Sequence, residues 1–172
     1  MTLAVYPGSF DPITNGHVDV ACRAAAIFER VVVAVYDTPP KNVLFATAER
    51  VEMARQALAG ISNVTVDSFS KLTVDYARGV GGKVIVRGLR AISDFELELQ
   101  MALLNRQLAP DIEVICLMAS QQHSFLSSSI VKEIAKLGGA IEDLVPATVA
   151  RALRDRYVRE QEPPPVPRHL ST

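Results

Sequence analysis

The chain has 172 residues, 49 % of them apolar, enough to bury a core and too hydrophobic for a disordered segment. A formal net charge of −1 gives no electrostatic footprint for nucleic acid or an anionic membrane as partner. There is no bilayer-length apolar run and no signal peptide, so the cytoplasm is the expected compartment.

In chain order, an apolar run at Leu3–Tyr6 leads into the turn-rich stretch PGSFDPITNGH. A helix follows, with Val18, Ala21, Cys22, Ala25 and Phe28 forming its apolar stripe. A second run covers Val31–Tyr36, and a second helix extends from Thr47 as N-cap to Gly60 as C′ residue. A third run at Val64–Phe69 precedes a weaker helical stretch over 73–80. The fourth run, Val84–Arg87, is followed by a helix that begins near Ser93 and is stopped by Pro110. Its FELELQM segment alternates with period two, but length and Leu/Glu/Gln/Met content favour helix. A fifth run at Val114–Met118 leads to two helical segments, one after the serine run and one from Pro146 to about Arg159.

Short continuous β-branched runs suit strands buried on both faces, and their alternation with helices implies right-handed βαβ crossovers. The expectation is a single-domain α/β fold over residues 1–159: a doubly wound, Rossmann-like, five-stranded parallel sheet with helices on both faces and a helical C-terminal segment. Residues 160–172 form a Pro-rich tail expected to be disordered. Cys22 and Cys116 lie among apolar residues without metal-ligand spacing and read as reduced core residues, and no protein metal site is expected.

The opening loop sits at the carboxyl end of the first strand, where open α/β sheets bind ligands. Gly8 lets the backbone turn, Pro7 and Pro12 stiffen it, and a helix starting near Thr14–Gly16 offers free N–H groups to an anion, with His17 in its first turn. The loop is neither a GxGxxG fingerprint nor a Walker A loop, and a plain βα connection with an exposed histidine is the alternative. Ser127, Ser128 and Ser129 open another helix, where they can cap it or help hold an anion, with Lys132 one turn on. Arg87 and Arg90 flank Gly88 at a strand end, as anion clamps or as solvated charge. Gathered at one sheet edge, these features suit a polyphosphate.

GSFDPITNGH resembles the N-terminal signature of the nucleotidyltransferase superfamily, with Thr14-Asn15-Gly16-His17 as its (T/H)xGH element. SSSIVK is similar to the ISSTxxR element, with Ser129 for Thr and Lys132 for Arg. Together with RGLRAISDFELELQMALLNR, these motifs resemble the bacterial phosphopantetheine adenylyltransferase family in register from Val5 to about Arg156.

The resemblance implies transfer of AMP from ATP to 4′-phosphopantetheine, giving dephospho-CoA and pyrophosphate, by in-line attack without a covalent enzyme intermediate. The alternatives are a relative using another phosphate acceptor and a non-catalytic nucleotide-binding module. It implies His17, Lys41 and Arg90 as catalytic. It implies Ser9, Phe10, His17, Gly88, Leu89, Arg90, Glu98, His123, Ser124, Phe125, Leu126, Ser127, Ser128 and Ser129 as ATP contacts. Ser9, Lys41, Thr73 and Arg87 would hold the acceptor. Ser9 replaces a frequent Thr with the hydroxyl retained, and His123 stands where Trp or Tyr is usual. Glu98 read alone is equally a solvated helix carboxylate. A magnesium ion held mainly by the nucleotide phosphates, a homohexamer and feedback binding of coenzyme A complete what the resemblance implies. The helix around Asp94–Leu108 is apolar on more than one side, as a helix buried on more than one side would be, in an intrachain core or a subunit contact.

Overall fold

Each β-branched run forms a strand, and each amphipathic stretch between them a helix, in a computed structural model that describes residues 2–40, 42–90 and 92–161. The elements are β1 (Leu3–Gly8), α1 (Asn15–Ile27), β2 (Arg30–Tyr36), α2 (Thr47–Leu58), β3 (Val64–Phe69), α3 (Thr73–Gly79), β4 (Val84–Leu89), α4 (Ile92–Leu108), β5 (Glu113–Met118), α5 (Ser128–Lys136) and α6 (Ala147–Gln161), with a 3₁₀ turn at Gln121–His123. All strand pairs are parallel, in the order β3-β2-β1-β4-β5. The chain therefore winds outward from β1 in one direction and from β4 in the other, the doubly wound α/β arrangement.

Successive strand residues face opposite sides, and both sides are apolar. Ala4, Tyr6, Val31, Val33 and Val86 join Val20 and Ala24 of α1, Ala54 and Leu58 of α2, and Leu153 of α6 in one core cluster. Val5, Val32, Ala34 and Ile85 join Val74 and Ala77 of α3 with Ala109 and Ile112 in the other. Burial on both faces holds for the three inner strands; β3 and β5 are sheet edges, and more than half of their side chains are exposed or half-buried.

The ladder between β1 and β4 is short. β1 pairs with β2 from Leu3↔Arg30 to Gly8↔Val35, but with β4 only at Ala4↔Val84 and Val5↔Ile85. Beyond Val5 the two central strands separate, which opens a seam at their carboxyl ends. Pro7, which has no N–H to donate, lies where the pairing with β4 has already stopped.

Some sequence expectations change. The buried stripe of α1 is Val20, Ala21 and Ala24; at 3.6 residues per turn Cys22 lies about 200° from Val20, on the solvent side. Cys116 is exposed as well, on the edge strand, so neither cysteine is a core residue. The N-cap of α2 is Ala46: the Thr47 hydroxyl donates to the Asp37 carboxylate and accepts from Arg50 Nη2, and is thereby withdrawn from capping. Gly60 does stand just beyond the C-cap, Ala59. On α4, Leu97, Leu99, Met101, Leu103, Leu104 and Leu108 are 46–61 % exposed, so no core among the described residues covers them. α6 continues to Gln161, two residues past the expected domain end, and the rest of the tail lies outside the described residues.

Candidate active site

The seam between β1 and β4 widens into a cleft of about 400 Å³. Its walls come from the β1 end (Tyr6–Phe10), the first turn of α1, the β4 end, α4 through Leu97 and Glu98, and the segment from His123 to Ser129. This is the topological switch point of the sheet.

Local chemistry fixes the first wall. Thr14 caps α1, its hydroxyl accepting from the His17 amide, while His17 returns the bond: the Thr14 N–H donates to Nδ1 at 3.0 Å. Histidine here takes the place of the Glu or Gln of a capping box. Because Nδ1 accepts a backbone N–H, the ring proton resides on Nε2. The imidazole and the Phe10 ring meet in a T-shaped arrangement, with centroids 5.1 Å apart. Phe10 itself is 2 % exposed, packs edge-on against Tyr6, and adopts a left-handed φ of 45°, a conformation uncommon outside glycine. A Cβ on Gly8 would lie 2.9 Å from the tip of that ring, so glycine is what lets Phe10 close over the strand end.

The opposite wall carries the cations. Arg87 donates to both Glu98 carboxylate oxygens, from Nε at 2.7 Å and Nη2 at 2.6 Å, and from Nη1 to the Pro7 carbonyl at 3.1 Å. It thus bridges the two strands where their ladder has ended. Burial works to lower the Arg87 guanidinium, but the hydrogen bonds and charge of Glu98 outweigh it and raise it above its ordinary value. Beside it, burial raises the Tyr6 hydroxyl well above the usual phenol range, with Arg87 and Arg90 opposing. Arg90 donates to the Leu126 carbonyl at 2.9 Å, tying the β4 end to the approach to α5. At the start of α5, Ser127 accepts from the Ile130 amide and Ser128 donates to the Pro12 carbonyl at 2.8 Å. Two helix N-termini therefore open on one cleft with His17, Arg87 and Arg90, an arrangement suited to a ligand with several phosphate charges.

Of the residues singled out from sequence, Ser9, Phe10, His17, Arg87, Gly88, Arg90, Glu98, His123, Leu126, Ser127, Ser128 and Ser129 line the cleft together. Glu98 is 9 % exposed and held by Arg87, so it is no solvated carboxylate. Leu89 is buried behind the wall, Ser124 and Phe125 are exposed beside the cleft, and Thr73 starts α3 away from its lining. Lys41 lies outside the described residues.

Two residues that sequence reasoning passed over hold this geometry. Arg50 of α2 is fully buried and donates to the carbonyls of Ser9 (2.7 Å), Tyr36 (2.8 Å), Asp37 (3.0 Å) and Phe45 (3.1 Å). Burial lowers its guanidinium from the ordinary value, with Asp11 and Asp37 opposing, and an arginine so placed stays charged. Asp11, 1 % exposed, accepts from the amides of Leu44 and Phe45 at 2.9 Å. A sequence signal for Arg50 existed: it stands four residues before Ala54, on the apolar stripe of α2, where an unpaired charge would not stay.

Comparison with known proteins places this architecture first in a broad class. The cytidylyltransferase-like family pattern matches residues 5–134. A putative nicotinate-nucleotide adenylyltransferase from Vibrio parahaemolyticus shares the fold, with a TM-score of 0.67 at 15 % identity over 90 % of this chain and 99 % of that one. Closer in sequence are phosphopantetheine adenylyltransferases. That of Roseiflexus sp. (strain RS-1) is 55 % identical over 159 residues, covering 92 % of this chain and 99 % of the relative. That of Alkaliphilus metalliredigens (strain QYMF) is 53 % identical over 153 residues, with 89 % and 98 % covered. That of Herpetosiphon aurantiacus is 52 % identical over 162 residues, with 94 % and 98 % covered. The chain belongs to the phosphopantetheine adenylyltransferase family of nucleotidyltransferases.

Proposed function

We propose that this protein transfers the adenylyl group of ATP to 4′-phosphopantetheine, giving dephospho-CoA and pyrophosphate, by direct attack of one phosphate on another. The observation that carries the reading is the convergence of two helix N-termini, His17, Arg87 and Arg90 on the cleft between β1 and β4. An oxygen of the acceptor phosphate bonds to the α-phosphorus as the bond to the bridging α–β oxygen breaks, and pyrophosphate leaves with that electron pair. Such a transfer needs no protein nucleophile; it needs alignment and charge stabilisation.

The triphosphate lies against the first turns of α1 and α5, with Ser9, Phe10, Gly88, Leu89, Glu98 and the segment from His123 to Ser129 around the nucleotide. His17, its proton on Nε2, donates to the α-phosphate oxygen on which charge builds. Arg90 meets the phosphates, and Lys41 contributes a further cation. Ser9, Thr73 and Arg87 hold the acceptor. Glu98, by gripping Arg87 through two bonds, fixes the direction in which the guanidinium faces.

A Mg²⁺ ion fits this donor set as a passenger on the phosphates: the one carboxylate among the described lining residues, Glu98, already accepts from Arg87 on both oxygens. When bound, the ion would neutralise charge on the phosphates and polarise the phosphorus under attack. The exposed apolar side chains of α4 support a homohexamer in which subunits cover them. Coenzyme A, which shares the product's pantetheine and adenylate parts, would bind the same cleft as a feedback ligand. The cytoplasm is the proposed compartment, and no described helix is long and apolar enough to cross a membrane.

The test is pyrophosphate release with ATP and magnesium, comparing 4′-phosphopantetheine with nicotinamide mononucleotide and, with CTP, glycerol 3-phosphate. Release with phosphopantetheine alone is expected. Release with another acceptor would discard the acceptor assignment, and ATP binding without release from any would leave a nucleotide-binding module.

A further inference from the structure

The lysine of the SSSIVK element does not line the cleft. Lys132 Nζ donates to Asp11 Oδ2 at 2.6 Å, and its side chain is only 21 % exposed. The same Asp11 carboxylate takes the Leu44 and Phe45 amides. These belong to a short strap before α2 whose backbone groups are held by side chains from the loop after β1, from α2 itself and from α6. The Leu44 carbonyl accepts from Arg156 at 3.0 Å, the Phe45 carbonyl from Arg50 at 3.1 Å, and the Ala46 amide donates to Glu49 at 2.8 Å. Arg156 also stacks over the Phe45 ring at 4.9 Å.

Asp11 is therefore the point where three elements of the site are joined. Through its own backbone it continues Ser9 and Phe10, whose carbonyl and ring are fixed by Arg50 and by Tyr6 and His17. Its carboxylate holds the strap, and Lys132 attaches it to the first half of α5, where Ser127, Ser128 and Ser129 line the cleft. A carboxylate this buried requires a cation and several donors, and it has them.

We infer that Asp11 and Lys132 form a positioning pair for the transfer reaction: Lys132 serves Asp11 and touches no phosphate, and the pair fixes Phe10, and through it the His17 ring, relative to the α5 N-terminus. The kinetic part of this inference rests on the adenylyl-transfer reading; the binding and spectroscopic parts do not.

The experiment uses the full chain with Lys132→Met, Lys132→Arg, Asp11→Asn and the double variant Asp11→Asn/Lys132→Met, each checked for folding by circular dichroism. ATP affinity is measured by calorimetry without acceptor, turnover by pyrophosphate release, and the His17 ring nitrogens and the Leu44 and Phe45 amides by ¹⁵N NMR. For Lys132→Met the expected result is unchanged ATP affinity with kcat lower by about tenfold or more, the scale of a small misplacement. Lys132→Arg should restore most of the rate. The double variant should be no slower than the slower single one, because the two act as a unit. Asp11→Asn should shift both amide signals and the His17 ring signals together.

ATP affinity lost by about tenfold with kcat intact would make Lys132 a phosphate ligand and overturn the inference. Unchanged kcat in a folded Lys132→Met variant, or unmoved His17 signals in Asp11→Asn, would overturn it equally. An unmutated protein that bound ATP and released no pyrophosphate would refute the proposed function instead, leaving the affinity and NMR results to decide the pair.

Discussion

Gly8→Ala tests the packing under the cleft. The added methyl would meet three atoms of the Phe10 ring at 2.9, 3.0 and 3.2 Å, closer than carbon atoms normally approach. The ring has little room to retreat: it is 2 % exposed and flanked by Tyr6 and His17, on a backbone already in the left-handed region. Overpacking of a tight core costs about 1–3 kcal/mol. Replacing glycine by alanine in extended backbone returns about 0.4–1 kcal/mol through the unfolded chain. The clash wins, leaving a net loss of about 1–2 kcal/mol. For a domain of this size that lowers Tm by about 2–8 °C. Calorimetry of the variant reads the loss directly, and pyrophosphate release should fall with it, because the displaced ring abuts His17. Phe10→Leu in the Gly8→Ala background should recover part of the stability by removing the ring tip. A Tm within a degree of the parent, with unchanged turnover, would show that the ring has space and refute the reasoning.

His17→Ala should fold normally and lose about 10²–10³-fold in kcat, as for a lost transition-state donor, and a variant that fails to fold would assign His17 to structure instead. Lys41→Ala should cut turnover by about 10²-fold with Tm unchanged, and equal activity would remove it from the site. Arg50→Met leaves several buried carbonyls without a donor and should cost about 3 kcal/mol or more in chemical denaturation; a change below about 1 kcal/mol would contradict the hydrogen-bond arrangement. Leu103→Asp together with Leu104→Asp should dissociate the proposed assembly in analytical ultracentrifugation, whereas an unchanged sedimentation coefficient would place the subunit contact elsewhere. For Tyr6, the folded protein keeps a proton that the unfolded chain releases above about pH 10, so it binds more protons than the unfolded state and stability falls as pH rises further. Tyr6→Phe should flatten that alkaline loss, by up to about 1.4 kcal/mol per pH unit, in denaturation series between pH 9 and 11.

Much of the fold was legible because the inner strands are short continuous apolar runs, rich in valine and isoleucine in β2 and β4, as burial on both faces favours. The two helix N-termini of the site were legible for a related reason, since Thr14 and Ser127 are capping residues at the heads of apolar stripes. The phase of α1 was not: its apolar positions are crowded with alanine, and only packing against the sheet selects Val20 and Ala24 over Cys22. Arg50 and Asp11 escaped because their partners are carbonyls and amides, which every residue carries and no sequence pattern marks. Lys132 escaped for the opposite reason. Its place in the SSSIVK element drew attention to the neighbouring serines, while its own partner sits 121 positions away. For Glu98 the sequence left a nucleotide contact and a solvated carboxylate equally open, because what decides is Arg87 reaching it from β4.

The early end of the β1–β4 ladder has a thermodynamic consequence. An opening made by two strands parting, each still paired to its other neighbour, is built into the sheet itself. A nucleotide entering it meets walls already formed, so little of its interaction energy is lost to building the cleft. Association should then be a single diffusive step, and the affinity of successive ligands should differ through how fast they leave.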